Sequence, residues 1–193
     1  MLNLTWEDRI ANYERVTGFP KSLFIAGDNR VIGLWIMGND YRVKSKFYGG
    51  YPAGYLRRVK ALFPDKAHPL HLFSGKVDTT IFPGVTVDIN ANLKPDIVDD
   101  AHTLKLVPLE DFDLVLADPA YSSEDTEHYG TPMVNRNTVL RTLGTRLRKG
   151  CFVVWLDQVL PMYRKDVFCV DAHIGMVKST NHRFRVVNIF RKL

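Results

Sequence analysis

An apolar run at residues 112–117 leads straight into Asp118-Pro119-Ala120-Tyr121. In that order these residue types can present a carboxylate, a fixed carbonyl and an aromatic face to one point. The chemistry they suit is transfer of a methyl group to an amino nitrogen on a nucleic-acid base. Such a nitrogen is a poor nucleophile, because its lone pair is delocalised into the ring. A carboxylate and a backbone carbonyl that accept its hydrogens favour the pyramidal geometry needed to attack a sulfonium methyl. Proline removes a donor and fixes the carbonyl's direction. An aromatic ring supplies a face on which an extruded base stacks. Asp118, Pro119 and Tyr121 are therefore the candidate catalytic residues.

The surrounding pattern has to place that turn at the end of a strand. Residues 22–26 and 30–37 are β-rich runs separated by Gly27-Asp28-Asn29, a hairpin signal. Residues 52–63 have helical spacing, stopped by Pro64-Asp65. Apolar strands are then expected at 70–73, 85–89, just before Asp99, and 112–117, followed by a helix at 137–147. Strands at 151–156, 167–174 and 184–190 complete the pattern, the last two joined near Ser179-Thr180-Asn181. Strands alternating with helices predict an α/β fold: a Rossmann-like, doubly wound, mostly parallel sheet with a terminal antiparallel hairpin at one edge. Ligands bind such sheets beyond the carboxyl ends of the strands. There the sequence has Phe73-Ser74-Gly75-Lys76, then Asp88, then Asp99-Asp100-Ala101. A glycine lets the backbone approach a ligand closely, and an acid at a strand end can accept both hydroxyls of a ribose. Each of these segments alone would also serve as an ordinary turn.

Taken in register, they resemble the class I S-adenosylmethionine-dependent methyltransferases that act on amino groups of DNA. The hallmark of that N6-adenine and N4-cytosine family is Asp/Asn/Ser-Pro-Pro-Tyr/Phe/Trp, and the resemblance covers residues 48–193. It implies S-adenosyl-L-methionine as cofactor. Tyr48, within Phe47-Tyr48-Gly49-Gly50-Tyr51, would bind it together with Phe73, Ser74 and Gly75. Asp88 would hold its ribose, and Asp100 with Ala101 its adenine. Arg183-Phe184-Arg185 sits where the family often packs an aromatic against the target base. Two residues depart from the pattern: Lys76 replaces a second loop glycine, where it could pair with the cofactor carboxylate, and Ala120 replaces the second proline. The implied activity is methylation of an exocyclic amino group, N6 of adenine in DNA foremost. The alternatives are methylation of a protein amide or small amine, and an inactive binding subunit of the same fold. Residues 1–47 are expected to form an N-terminal β-hairpin extension, and 48–193 the methyltransferase domain.

A net charge of +5 and a pI near 9.2 suit a nucleic-acid partner, DNA ahead of RNA. Arg42, Lys44, Lys46, Arg57, Arg58 and Lys60 form one basic cluster, and Arg141, Arg146, Arg148 and Lys149 another. No metal is expected, since Cys151 and Cys169 form no CxxC pair and the histidines are scattered. No apolar run is long enough to span a bilayer, and the N-terminus lacks a signal-peptide core, so the expected location is cytoplasmic. Trp6, Trp35 and Trp155 read as core, and His102 and His128 as solvated loop residues. Residues 122–133, including Tyr129-Gly130, read as a substrate loop too short to recognise a DNA site. A homodimer or a partner subunit would then supply target recognition.

Overall fold

The computed structural model of the chain describes residues 4–38, 51–120, 133–179 and 184–193. It opens with a helix that the sequence reading did not foresee, α1 (Trp6–Thr17). Thr5 Oγ1 accepts from the Asp8 N–H at 3.2 Å, and the Asp8 carboxylate accepts from the Thr5 N–H at 3.1 Å. That reciprocal pair is a capping box. β1 (Leu23–Ile25) and β2 (Val31–Met37) then form the expected antiparallel hairpin. Next come α2 (Tyr55–Leu62), β3 (Pro69–Leu72), β4 (Val85–Asp88), β5 (Ile97–Val98) and β6 (Leu114–Ala117). The chain ends with α3 (Arg136–Arg146), β7 (Phe152–Asp157), β8 (Phe168–Lys178) and β9 (Phe184–Lys192).

The nine strands among the described residues join in one sheet, in the order β1-β2-β8-β9-β7-β6-β3-β4-β5. Strands β2 to β8 share one direction, and β1 and β9 oppose it. The fold is the Rossmann-like, mostly parallel sheet that the alternation of elements predicts. The β8–β9 hairpin does not end it, however. β2 pairs in parallel with β8 from Val31↔Ala172 to Met37↔Lys178, so the N-terminal hairpin lengthens the same sheet.

Both faces of the central strands are covered, which explains their near-continuous apolar runs. In β6, Leu114 and Leu116 enter one core while Val115 and Ala117 enter the other. The first core holds Tyr13 of α1 and Tyr55, Leu56, Val59 and Leu62 of α2. The second holds Val139, Leu140 and Leu143 of α3. Trp35 and Trp155 are fully buried, as expected of core residues, and Trp6 is partly buried with its indole N–H on Asp171. Among the described residues no helix is long and apolar enough to cross a membrane.

Candidate functional site

The strand order reverses between β3 and β6, so the loops leaving these neighbours open side by side. At the end of β3 the backbone turns sharply, with Phe73 at φ 58° and Gly75 at φ 53°. A left-handed phenylalanine is strained, because its Cβ crowds the carbonyl. Hydrogen bonds hold the turn: Ser74 N–H donates to the Val87 carbonyl at 3.0 Å, and Gly75 N–H to Asp88 Oδ2 at 2.9 Å. The other oxygen of Asp88 accepts from Asn90 N–H at 2.9 Å. Each carboxylate oxygen has a second lone pair, so Asp88 can brace the loop and still accept from a ligand hydroxyl. Ser74 is buried, and its hydroxyl has no hydrogen-bond partner among the described residues.

After β5, Asp99 donates its N–H to the Asp88 carbonyl at 3.2 Å, which ties this loop to the previous one. Asp100 accepts from His102 twice, from N–H at 2.9 Å and from Nδ1 at 2.7 Å. His102 Nε2 in turn accepts from the Asn135 N–H at 3.0 Å, which requires the ring proton on Nδ1. These His102 hydrogen bonds hold the Asp100 carboxyl below its ordinary pKa in spite of partial burial. His102 is therefore no solvated loop residue: it joins the Asp100 loop to the N-cap of α3, and the expectation for it is corrected. Ala101 is buried in the second core.

Beyond β6 come Asp118, half-buried, and Pro119, buried. Two tyrosines, Tyr51 just before α2 and Tyr55 its first residue, pack together. Tyr51 and Tyr55 stack with ring centroids 5.0 Å apart and planes 13° apart. Gly54, at φ 80°, makes the bend between them that a side chain would strain. Both hydroxyls are buried, and neither has a hydrogen-bond partner among the described residues. Burial first, and the negative charge of Asp118 second, raise the pKa of each well above the ordinary tyrosine value. The cation of Arg185, at the start of β9, acts on Tyr55 in the opposite sense. An orphaned buried hydroxyl costs about 1–3 kcal/mol.

A second group lies where β7 ends. Asp157, fully buried, accepts from Arg136 Nε at 2.6 Å and Nη2 at 3.1 Å, from the Trp155 indole at 3.0 Å and from Gln158 N–H at 2.7 Å. The Trp155 ring meets Phe73 edge-on at 6.3 Å. The reading of the sequence passed over this acid, although an aspartate closing a buried run is a visible signal.

The structure thus brings Phe73, Ser74, Gly75, Asp88, Asp100, Ala101, Asp118 and Pro119 to one end of the sheet. Tyr48, Tyr121, Arg183, His128 and the loop at 122–132 lie outside the described residues. Phe184 is exposed.

The basic clusters need correction. Arg42, Lys44 and Lys46 lie outside the described residues. Arg58 is buried, donates to the Ile36 carbonyl at 3.1 Å and lies 4.2 Å from the Phe19 ring centroid. Lys60 donates to the Ile81 carbonyl. Arg146 binds the carbonyls of Leu104 and Val107, and Arg148 that of Asp111. Much of the charge read as suiting a nucleic-acid partner is thus spent on backbone carbonyls within the chain. Among the described residues no cluster of His, Cys, Asp or Glu could hold a metal.

No protein-family model and no curated protein sequence matches the chain. Among solved structures it is similar to TrmN from Thermus thermophilus, at 17% identity and TM-score 0.46, over 65% of this chain and 44% of that one. It is also similar to the N-methyltransferase NodS from Bradyrhizobium japonicum in complex with S-adenosyl-L-homocysteine, at 10% identity and TM-score 0.49, over 71% and 83%. A third likeness is to an rRNA methylase from Streptococcus thermophilus, at 11% identity and TM-score 0.45, over 67% and 88%. This chain spans less than half the length of TrmN. Identities and TM-scores are low throughout, and the strand order of the chain itself defines the fold.

Proposed function

We propose that this chain transfers a methyl group from S-adenosyl-L-methionine to an exocyclic amino group of a nucleic-acid base, N6 of adenine in DNA foremost. One observation carries the reading. Gly75, Asp88, Asp100 and Asp118 follow or end four neighbouring parallel strands, around the point where strand order reverses.

The residues present fit the cofactor. The buried, unpartnered Ser74 hydroxyl and the tight turn through Phe73 and Gly75 suit close approach of a polar ligand to backbone. Asp88 would accept the ribose hydroxyls, and Asp100 with Ala101 would border the adenine. When bound, the cofactor supplies a methyl group carried on a positively charged sulfur. Asp118 would hold one hydrogen of the target amino group and take the proton that the nitrogen loses on methylation. The Pro119 carbonyl would accept the other hydrogen. The stacking face is assigned to Tyr121. The excess of basic residues and the exposed Arg57 support a nucleic-acid substrate.

The test is incubation of the protein with methyl-labelled cofactor and DNA, RNA or protein, followed by mass spectrometry of the hydrolysed products. N6-methyladenine or N4-methylcytosine is expected. Label on a protein amide alone would move the substrate to another class, and no label anywhere would overturn the reading.

A further inference from the structure

Away from the candidate site, the part of the sheet formed by β1, β2, β8 and the start of β9 is apolar on both faces. On one face Tyr13 of α1 stacks on Trp35 at 5.9 Å, and Tyr55 of α2 joins the same core. On the other face the register sets Ile32 beside His173, Leu34 beside Gly175 and Ile36 beside Val177. Phe24 of β1 pairs with Ile32, and Phe184 of β9 with Val177. None of these residues is a lysine, an arginine or an acid. Gly175 keeps the surface flat, since a Cβ added there would stand 3.0 Å from the Phe184 ring and 3.1 Å from a Leu34 methyl. Yet the large apolar side chains here are open to solvent, from 46% exposed at Ile32 to 64% at Ile36. A sheet face that meets water normally carries polar side chains at these alternate positions. Among the described residues no helix lies in the connection from β7 to β8, residues 158–167, to cover them. The start of that connection is tied to the same face, because the Asn188 amide donates to His173's strand partner row and to the Val159 carbonyl at 3.2 Å. Val159, Leu160 and Met162 are exposed as well.

We propose that this face packs against the same face of a second copy of the chain, so that the protein is a two-fold dimer. Area and charge together choose the occupant. Phe24, Ile32, Leu34, Ile36 and Phe184, with the three side chains of the connection, each expose about half or more of roughly 200 Å². They offer roughly 800 Å² in all, which is the share that each partner of a standard interface buries. The largest apolar patch on an ordinary monomer is smaller, about 300–600 Å². A two-fold interface brings one patch against itself, so the patch must be self-complementary. A flat face without charged residues meets its own copy with no like charges opposed. Two such sheets pack about 10 Å apart, with their outward side chains interdigitating. A nucleic acid, by contrast, would find no lysine or arginine on these rows for its phosphates. The dimer requires neither cofactor nor substrate, so it stands apart from the proposed function.

Sedimentation equilibrium of the full chain across the micromolar range tests this, and a monomer–dimer equilibrium is expected. In the I32K/I36K variant, lysines from both copies meet in the interface, which should raise the dimer Kd by about 100-fold or more. Both side chains are exposed in the single chain, so the circular dichroism spectrum of the variant should match that of wild type. Hydroxyl-radical footprinting of wild type gives a second measurement that needs no variant. Phe24, Leu34 and Ile36 should be labelled in dilute protein and protected in concentrated protein. A wild type that stays monomeric throughout, or a dimer that the two lysines leave intact, would overturn the inference. So would labelling of these residues that does not change as the dimer forms. Protection at every concentration in a monomer would assign the face to another segment of this chain and overturn the dimer too.

Discussion

The Asp157 carboxylate at the end of β7 grips Arg136, the first residue of α3, through two bonds of 2.6 and 3.1 Å. Arg136 opens the helix that follows the candidate catalytic turn, and the Trp155 indole bound to the same carboxylate meets Phe73, in the turn after β3, edge-on. One buried acid therefore links the start of α3 to the turn after β3. D157A should lower the unfolding free energy by about 1–3 kcal/mol, because it leaves the buried Trp155 indole N–H without its acceptor and takes one partner from the part-exposed Arg136. Urea denaturation followed by circular dichroism measures this. A loss below 1 kcal/mol, on the order of a surface ion pair, would show that water replaces the carboxylate at little cost.

D118A should abolish methyl transfer while leaving cofactor affinity within a few-fold. Asp118 follows β6, whereas Asp88 braces the loop that follows β3. Removing one preorganised contact to a developing charge lowers rates by about 10²–10³-fold. Single-turnover assays set beside calorimetry separate the two effects, and near-normal turnover would move the catalytic turn elsewhere.

D88A should weaken the cofactor first. The charge-assisted bonds proposed between it and a ribose would be worth about 1.5–3 kcal/mol each. The geometry adds a second effect, because the same carboxylate holds the Gly75 and Asn90 N–H groups in place. D88N keeps an acceptor for one of these donors, so it should unfold less readily than D88A yet still bind the cofactor poorly. Equal cofactor affinity in wild type and D88N would reduce Asp88 to a brace for the loop.

The strands and their terminal loops were legible because each buried strand is a short apolar run and each loop carries its own turn chemistry. Asp118-Pro119 after 112–117 needed nothing from the rest of the chain. Helix α1 left a signal too, in Thr5 followed three residues later by Asp8, with Gly18 after the last turn. The pairing of β2 with β8 left none, since partners such as Trp35 and Met176 stand far apart in sequence and share no local pattern. Arg58 and His102 were misread for the same reason. A side chain's type declares its charge, but its burial is decided by distant residues: Phe19 and Ile36 for Arg58, Asn135 for His102.

Acid should weaken the junction between α1 and α2. The buried Arg9 donates to both oxygens of Asp65, at 2.6 and 2.9 Å, and to the Leu62 carbonyl. Burial alone would raise the Asp65 carboxyl, but the bonds and charge of Arg9, helped by Lys66, outweigh it and hold the group below 3.8. A depressed folded-state pKa stabilises above the unfolded value, and that stability is lost as pH falls through the folded value. Wild type should therefore lose stability more steeply than D65N below about pH 4, while D65N is the less stable protein at neutral pH. Parallel acid titrations monitored by tryptophan fluorescence compare the two, and superimposable curves would remove Asp65 as a source of acid sensitivity.

Neighbours in sequence, Arg57 and Arg58 should fail in different ways. Arg57 is exposed on α2, whereas Arg58 is buried against Phe19 and spends a donor on the Ile36 carbonyl. If the chain binds nucleic acid through its phosphates, R57A should reduce the slope of log affinity against log salt by about one, as the loss of one phosphate contact does. Its melting temperature should not change. R58A should leave that slope intact and lower stability by about 1–3 kcal/mol, through the lost cation–π contact and the orphaned carbonyl. Fluorescence anisotropy with a labelled single-stranded oligonucleotide at several salt concentrations, alongside thermal melts, gives both quantities. A flatter slope in R58A than in R57A would mean that the buried arginine turns outward on binding. No measurable binding by wild type at low salt would take nucleic acid off the list of substrates.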